Sequence, residues 1–293
     1  MSYQEHFAGI GKMQIRRSAR REARFIHHEI FKREDYLRHG LKIPAGATIV
    51  DVGANVGFFS NFALQRAGAN ATLIALEPIP ETFAALQNNV SNRTWEAGTK
   101  LHLFNAGATK IDGPDHLEFT YFPNLPGNST SVPSEKEDQE KTLRQTFTHP
   151  VRYAQMVRTM AKLRRQKWLN TAILLYPLAA VLGPLGLSHI YRKKEHIRCP
   201  LFSLSQIIAD TGISKIDFLK IDTEGAELDV LDGLTPQDWK MVKQVAIEVQ
   251  DKDGRLKKIK RRLKRAGFKH VVIDKAADLS ALSDVAVALV YAR

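Results

Sequence analysis

Two spacings of apolar residues alternate along most of this chain. Short runs of β-branched and aliphatic residues at Thr48 to Val52, Thr72 to Leu76, Leu101 to Asn105, Phe218 to Ile221, Val245 to Val249, His270 to Ile273 and Val285 to Tyr291 read as strands. Between several of them, apolar positions recur every three or four residues. This predicts helices over Phe58 to Ala67, Glu81 to Val90, Leu204 to Asp210, Gly225 to Leu231 and Leu256 to Ala266. Strand and helix in turn predict an α/β fold, an open and mostly parallel sheet with helices on both faces. A short linker joins the last two strands, so the C-terminal edge of the sheet is expected to be antiparallel.

Two regions break the alternation. Residues 1–40 read as a basic helical region ahead of a main domain at 41–293, because Phe25, Ile26, Ile30 and Phe31 form an apolar stripe that stops at Gly40. Residues 131–197 carry no strand signal. They follow an expected β-hairpin that runs from Leu117 to Pro123 and turns at Asn124 and Pro126-Gly127, and they read as a helical insertion, a lid on the carboxyl side of the sheet. Within them, Thr171 to Leu187 is uncharged over 17 residues. A helix of that length reaches about 25 Å, short of the roughly 30 Å hydrocarbon core, and Pro177, Gly183, Pro184 and Gly186 interrupt it. A lid or an element lying on a surface is expected, not a span.

Composition adds location to charge. The chain carries 43 Lys and Arg against 31 Asp and Glu, a net +12, and from Lys141 to Lys194 there are eleven basic residues and no acidic one. Such a block faces an anionic partner or forms a solvated helix face. The single Cys excludes a disulfide scaffold and a Cys-based zinc site. No secretory signal opens the sequence, so a cytoplasmic location is expected.

The chemistry starts where the first sheet strand ends. Asp51-Val-Gly53-Ala-Asn55-Val-Gly57 follows the strand and Phe58-Phe-Ser60 opens a helix. The glycines permit a sharp turn and close approach of backbone N–H groups to a ligand, and Asp51 can accept hydrogen bonds from a bound amine. The spacing departs from the three-glycine pattern of dinucleotide binders. Glu77, followed by Pro78, ends the second strand twenty residues beyond Gly57, where a carboxylate takes both hydroxyls of a ribose. Together they indicate a nucleoside-bearing cofactor that need not contain phosphate.

The chain resembles the FkbM-type S-adenosylmethionine-dependent methyltransferases. The resemblance rests on the Asp51 to Gly57 loop, on Glu77-Pro78 with Asn88-Asn89, and above all on Ile216-Asp-Phe-Leu-Lys220-Ile-Asp222-Thr-Glu224-Gly-Ala-Glu227-Leu-Asp-Val-Leu231. Tyr121 to Thr130, Cys199-Pro200 and Glu248-Val-Gln250-Asp251 are similar to the subgroup associated with polyketide and peptide synthetase assembly lines, except that Gln250 stands where that subgroup typically has His. The resemblance implies a Rossmann-like class I methyltransferase sheet and S-adenosylmethionine as cofactor. It implies that the glycine loop holds the methionine end, that Glu77 holds the ribose, and that Asn105 and Ala106 flank the adenine. It also implies methylation of a hydroxyl on a natural-product intermediate, free or tethered to an acidic carrier protein.

A hydroxyl acceptor needs a base as the new bond forms. Asp222, Glu224 and Glu248 fall at strand ends on the carboxyl edge of the sheet and are the candidates. Glu227 reads as a helix-first-turn acid. Oxygen ligands of this kind can also hold a divalent cation, although no metal is required. Tyr121, Asn128, Ser129 and Thr130 are candidates for the acceptor hydroxyl, or else the last three cap the next helix. Two other functions compete: methylation of a sugar or lipid headgroup at a membrane surface, and nucleic-acid binding. The basic block lacks the aromatic interleaving of single-strand binders, so no nucleic-acid partner is expected.

Overall fold

The computed structural model describes residues 2–163, 173–191, 193–275 and 286–293. The chain opens with an antiparallel hairpin, β1 (Ser2–Phe7) and β2 (Gly11–Arg16), before α1 (Arg20–Phe31). This corrects the helical reading over residues 2–16, while α1 carries the apolar stripe of Phe25, Ile26, Ile30 and Phe31 as expected. In β2 Met13 and Ile15 are buried and Lys12 is exposed, a period of two.

The main sheet comprises β3 (Thr48–Val52), β4 (Thr72–Leu76), β5 (Lys100–Phe104), β9 (Phe218–Ile221), β10 (Val245–Asp251), β11 (Val271–Lys275) and β12 (Ala286–Ala292). Their order is β11-β12-β10-β9-β3-β4-β5. β3, β4, β5, β9 and β10 are parallel, while β12 runs antiparallel to both β10 and β11. The expected antiparallel edge is therefore present with its reversed strand second from the edge. β3 and β9 are buried along their whole length, as central strands of a sheet covered on both faces are, and their two charged residues, Asp51 and Lys220, face each other across the pair.

One face carries α1 with α2 (Phe58–Ala67) and α3 (Pro80–Ser91), where Phe58, Phe59, Phe62 and Leu64 pack with Met13 and Ile15. The other carries α7 (Leu204–Thr211), α8 (Glu227–Leu231), α9 (Pro236–Trp239) and α10 (Arg255–Arg265). α10 buries Leu256, Ile259 and Leu263 and turns its lysines outward. From β3 the chain steps outward to β4 and β5, then returns to the opposite side at β9. The carboxyl ends of β3 and β9 thus flank the crevice where strand order reverses.

A second sheet, β6 (Gly107–Thr109), β8 (Glu195–Ser203) and β7 (His116–Tyr121), extends from this end. β7 pairs antiparallel with β8, across the insertion. The expected hairpin closes only at one bridge, Thr120 with Thr130. β8 also begins inside the region read as strandless. Its buried residues Cys199, Leu201 and Ser203 alternate, and Pro200 falls where the ladder passes from β7 to β6, so the missing N–H interrupts little.

The insertion forms α4 (Pro133–Thr148), α5 (Pro150–Leu163) and α6 (Tyr176–Tyr191) around Tyr153, Met156 and Val157. Arg164, Arg165, Lys167 and Thr171 lie outside the described residues. Among the described residues no helix is long and apolar enough to cross a membrane.

Candidate active site

A cavity of about 330 Å³ opens at the carboxyl ends of β3, β4, β9 and β10, a size suited to a small-molecule ligand. The turn after β3 forms its floor. Gly53 has φ +75°, and a Cβ there would stand 1.8 Å from the backbone oxygen of Asp222. Gly57, at φ +89°, has room for none beside Leu86, 2.8 Å away. The first strand tip and the β9 tip can therefore approach only through glycine. Gly53→Ala combines a disfavoured φ with a backbone clash, and we expect a loss of several kcal/mol, lowering Tm by roughly 10 °C or more in a thermal melt.

Asn55, at the position between the glycines, is left-handed (φ 50°), a conformation that Asn tolerates. Its N–H donates to Glu77 Oε2 at 3.0 Å, and the Ile79 N–H donates to Glu77 Oε1 at 3.0 Å. Burial pushes the Glu77 carboxyl up to about 7, against the pull of those two N–H groups. Asn105 donates to the Glu77 and Pro78 backbone oxygens, both at 2.9 Å, and fixes the β4 tip from outside the cavity.

Of the residues expected to hold the cofactor, Gly53, Asn55, Phe58, Glu77, Pro78 and Ala106 line the cavity. Asp51, Gly57, Ser60 and Asn105 stand behind that wall. Asp51, read as the acceptor for an amine, is fully buried: Ser60 Oγ donates to its Oδ2 at 2.6 Å, and Lys220 Nζ lies 3.1 Å from its Oδ1. Lys220 also donates to Gly53 O at 2.8 Å and lies 3.7 Å from Asp222 Oδ2. Burial alone would lower this lysine, but the Asp51 and Asp222 carboxylates reverse the sign and hold it above its ordinary value. The charged lysine thereby ties the first and fourth parallel strands together under the cavity.

All three candidate bases, Asp222, Glu224 and Glu248, reach the cavity. The Tyr36 hydroxyl joins two of them, lying 3.2 Å from Asp222 Oδ2 and 3.4 Å from Glu248 Oε2. Burial first, then the neighbouring Asp222 and Glu224 carboxylates, push Glu248 well above the carboxylate range. Gln250, the departure from the subgroup pattern, donates its amide to Glu224, and Thr130 Oγ1 donates to the Glu224 backbone oxygen at 2.8 Å. Glu227 does not line the cavity. It accepts from the Gly225 N–H at 2.7 Å, near Arg255 at 3.4 Å, and burial raises it to about 7.

Among the expected acceptor contacts, only Ser129 lines the cavity. Thr130 is spent on Glu224. The Tyr121 hydroxyl donates to Glu81 Oε2 at 2.8 Å and accepts from Arg16 at 3.1 Å, behind the wall. The Asn128 side chain lies outside the described residues.

The wall over the site comes from α1, which sequence reasoning assigned to a prelude. Glu22, Phe25, Ile26, Glu29 and Ile30 line the cavity with Tyr36, whereas among the described residues none of α4, α5 or α6 does. Phe25 is 50% exposed at this wall, and Glu29 is raised to about 7 by burial and then by Asp35. The one sequence cue is a glutamate, Glu29, inside the apolar stripe, one turn from Phe25. Tyr36→Phe removes the hydroxyl that joins Asp222 to Glu248. We expect kcat to fall about tenfold, read by steady-state kinetics.

The cavity fits an adenosine-bearing ligand on its own evidence. Glu77 is a buried carboxylate at the second strand tip, and Thr223 Oγ1 is buried at the cavity with no hydrogen-bond partner among the described residues. Sheet order, glycine turn and acidic strand tip together define a class I methyltransferase. The chain belongs to the FkbM methyltransferase family, whose domain model, the methyltransferase FkbM domain, matches residues 51–270. It is 32% identical over 250 residues to methyltransferase sdnD of Sordaria araneosa, covering 84% of this chain and 82% of that one. It is 32% identical over 253 residues to the 31-O-demethyl-FK506 methyltransferase FkbM of Streptomyces tacrolimicus, with coverages of 84% and 82%. It is also 30% identical over 259 residues to the AMB antimetabolite synthetase AmbE of Pseudomonas aeruginosa, covering 84% of this chain and 11% of that protein. Membership of this family indicates S-adenosylmethionine as the cofactor.

Proposed function

We propose that this enzyme methylates a hydroxyl oxygen of a natural-product intermediate. The observation that carries the reading is the Asp222 and Glu248 pair, joined by the Tyr36 hydroxyl at the cavity. An amine acceptor can enter with its lone pair free, but an alcohol must shed a proton, and carboxylates are placed to take it. The cofactor, when bound, would supply a methyl group activated on a sulfonium sulfur, which would keep the bond pair on transfer to the acceptor oxygen. The proton of the acceptor hydroxyl would pass to the Asp222 carboxylate and from there to water. Tyr36 holds the carboxylate oriented, and the glycine turn and Glu77 would hold the donor. Phe25 and Ile26 cover the site and exclude water. The name of the Streptomyces relative, a 31-O-demethyl-FK506 methyltransferase, supports an oxygen acceptor on a small organic molecule.

The test is mass spectrometry with deuteromethyl-labelled cofactor and matched pairs of hydroxy and amino acceptors. Label on oxygen with base-dependent turnover supports the reading; label on nitrogen with the alcohols inert removes it.

A further inference from the structure

We infer that the outward face of α6, with the cations around it, is a docking surface for an anionic lipid bilayer, the helix lying in the headgroup plane. The surface lies in the insertion, away from the cavity wall, and the inference goes beyond the methyl transfer proposed above.

Leu174, Leu178, Val181, Leu182 and Leu185 are 53–81% exposed, and at spacings of three and four they share one side of the helix and the turn before it. The inner side is committed to α4. A Cβ on Gly183 would meet Phe147 at 2.2 Å, Tyr176 Oη donates to Thr148 O at 2.6 Å, and Arg144 donates to Pro184 O at 3.4 Å. Nothing from Thr171 to Ser188 is charged, so the exposed side is a continuous apolar strip of the kind that soluble surfaces avoid. At sixteen residues α6 spans about 24 Å, too short to cross the roughly 30 Å hydrocarbon core.

Charge decides between occupants. Lys141, Arg152, Arg158, Lys193 and Lys194 are exposed around this element. Glu140 holds Arg144 at 2.7 Å and Glu137 lies 3.9 Å from Lys194, which leaves the cations in excess. A second copy would bring cations against cations. A protein partner would meet a face without a hydrogen-bonding side chain free from Leu174 to Gly186, unlike the mixed rim of protein interfaces. An anionic bilayer offers an apolar slab beneath a negative surface, each nearby cation adding about 1 kcal/mol.

The experiment is co-sedimentation of the full chain with vesicles of phosphatidylcholine alone and of phosphatidylcholine with phosphatidylglycerol at about 7:3, the anionic mixture being the probe. We expect binding to the mixed vesicles, at least about tenfold weaker binding to phosphatidylcholine alone, and weakening by salt. The paired change Leu178→Glu and Leu182→Glu is expected to reduce binding at least about tenfold. Calorimetry with S-adenosylmethionine, unchanged in that variant, shows that the fold is intact. If the variant is unstable, Lys141→Glu with Arg152→Glu reports on the charge half alone and is expected to lose binding to the mixed vesicles. Absence of vesicle binding, or equal binding by intact variants, overturns the inference. So does a dimer that the leucine variants dissociate, or capture of a purified acidic carrier protein by this face while vesicles are ignored.

Discussion

Glu77→Ala is expected to abolish the heat of association with S-adenosylmethionine that calorimetry is expected to record for the unaltered chain. Glu77 is 7% exposed and ends β4 beside the cavity, held by the Asn55 and Ile79 N–H groups. Each hydrogen bond from a ribose hydroxyl to an ionised acceptor contributes about 1.5–3 kcal/mol, so losing two lowers affinity roughly 10²- to 10⁴-fold. The pH dependence has a definite sign. In the ligand-free chain the carboxyl sits at about 7, and hydroxyl donors favour its ionised form. Affinity therefore falls as pH drops below about 7, and Glu77→Gln, which keeps the packing, loses that dependence. Folding is linked oppositely. A carboxyl raised in the folded state favours folding below its unfolded value, and this contribution is lost as pH rises from about 4.5 to about 7. A variant that still binds the cofactor with wild-type affinity and pH dependence shows that the ribose is held elsewhere.

The alternating part of the fold was legible because its strands are short runs dominated by aliphatic and β-branched residues. β3, β4 and β9 fall on the predicted residues, as does α2. What escaped was set by tertiary partners. The β1–β2 hairpin is short, and Arg16 to Arg24 drew attention to charge and not to the alternation at Met13 and Ile15. β8 was hidden by Pro200, harmless only because two different strands share the ladder on either side of it. In the site, residue type and strand position placed Gly53, Glu77, Asp222, Glu224 and Glu248 at the carboxyl edge of the sheet, and all five line the cavity. They could not show that Asp51 would be consumed by Lys220 and Ser60, since both partners are distant in sequence or on the next turn. Nor could they show that α1 covers the cavity: its stripe of Phe25, Ile26 and Ile30 suits a core and a cavity wall equally well.

Asp222→Asn separates chemistry from binding. The substitution keeps the volume of the side chain and removes its ability to take a proton. Lys220 retains Asp51 at 3.1 Å and Gly53 O at 2.8 Å, so the link beneath the glycine turn persists. S-adenosylmethionine affinity is expected to stay within about threefold, while kcat falls about 10²- to 10⁴-fold, the usual contribution of a positioned base. Asp222 is favoured over Glu248 for this role because Glu248, half-buried in the cavity wall, is pushed well above the carboxylate range by burial and then by Asp222 and Glu224, which favours its neutral form, a donor beside its neighbour. Glu248→Gln preserves that donor and should reduce kcat much less than Asp222→Asn. Single-turnover mass spectrometry at saturating cofactor and acceptor compares the two directly. A larger loss in Glu248→Gln exchanges the roles of the two carboxylates, and full turnover in both variants means that the acceptor arrives already deprotonated or carries a free lone pair, which removes the alcohol from the reaction.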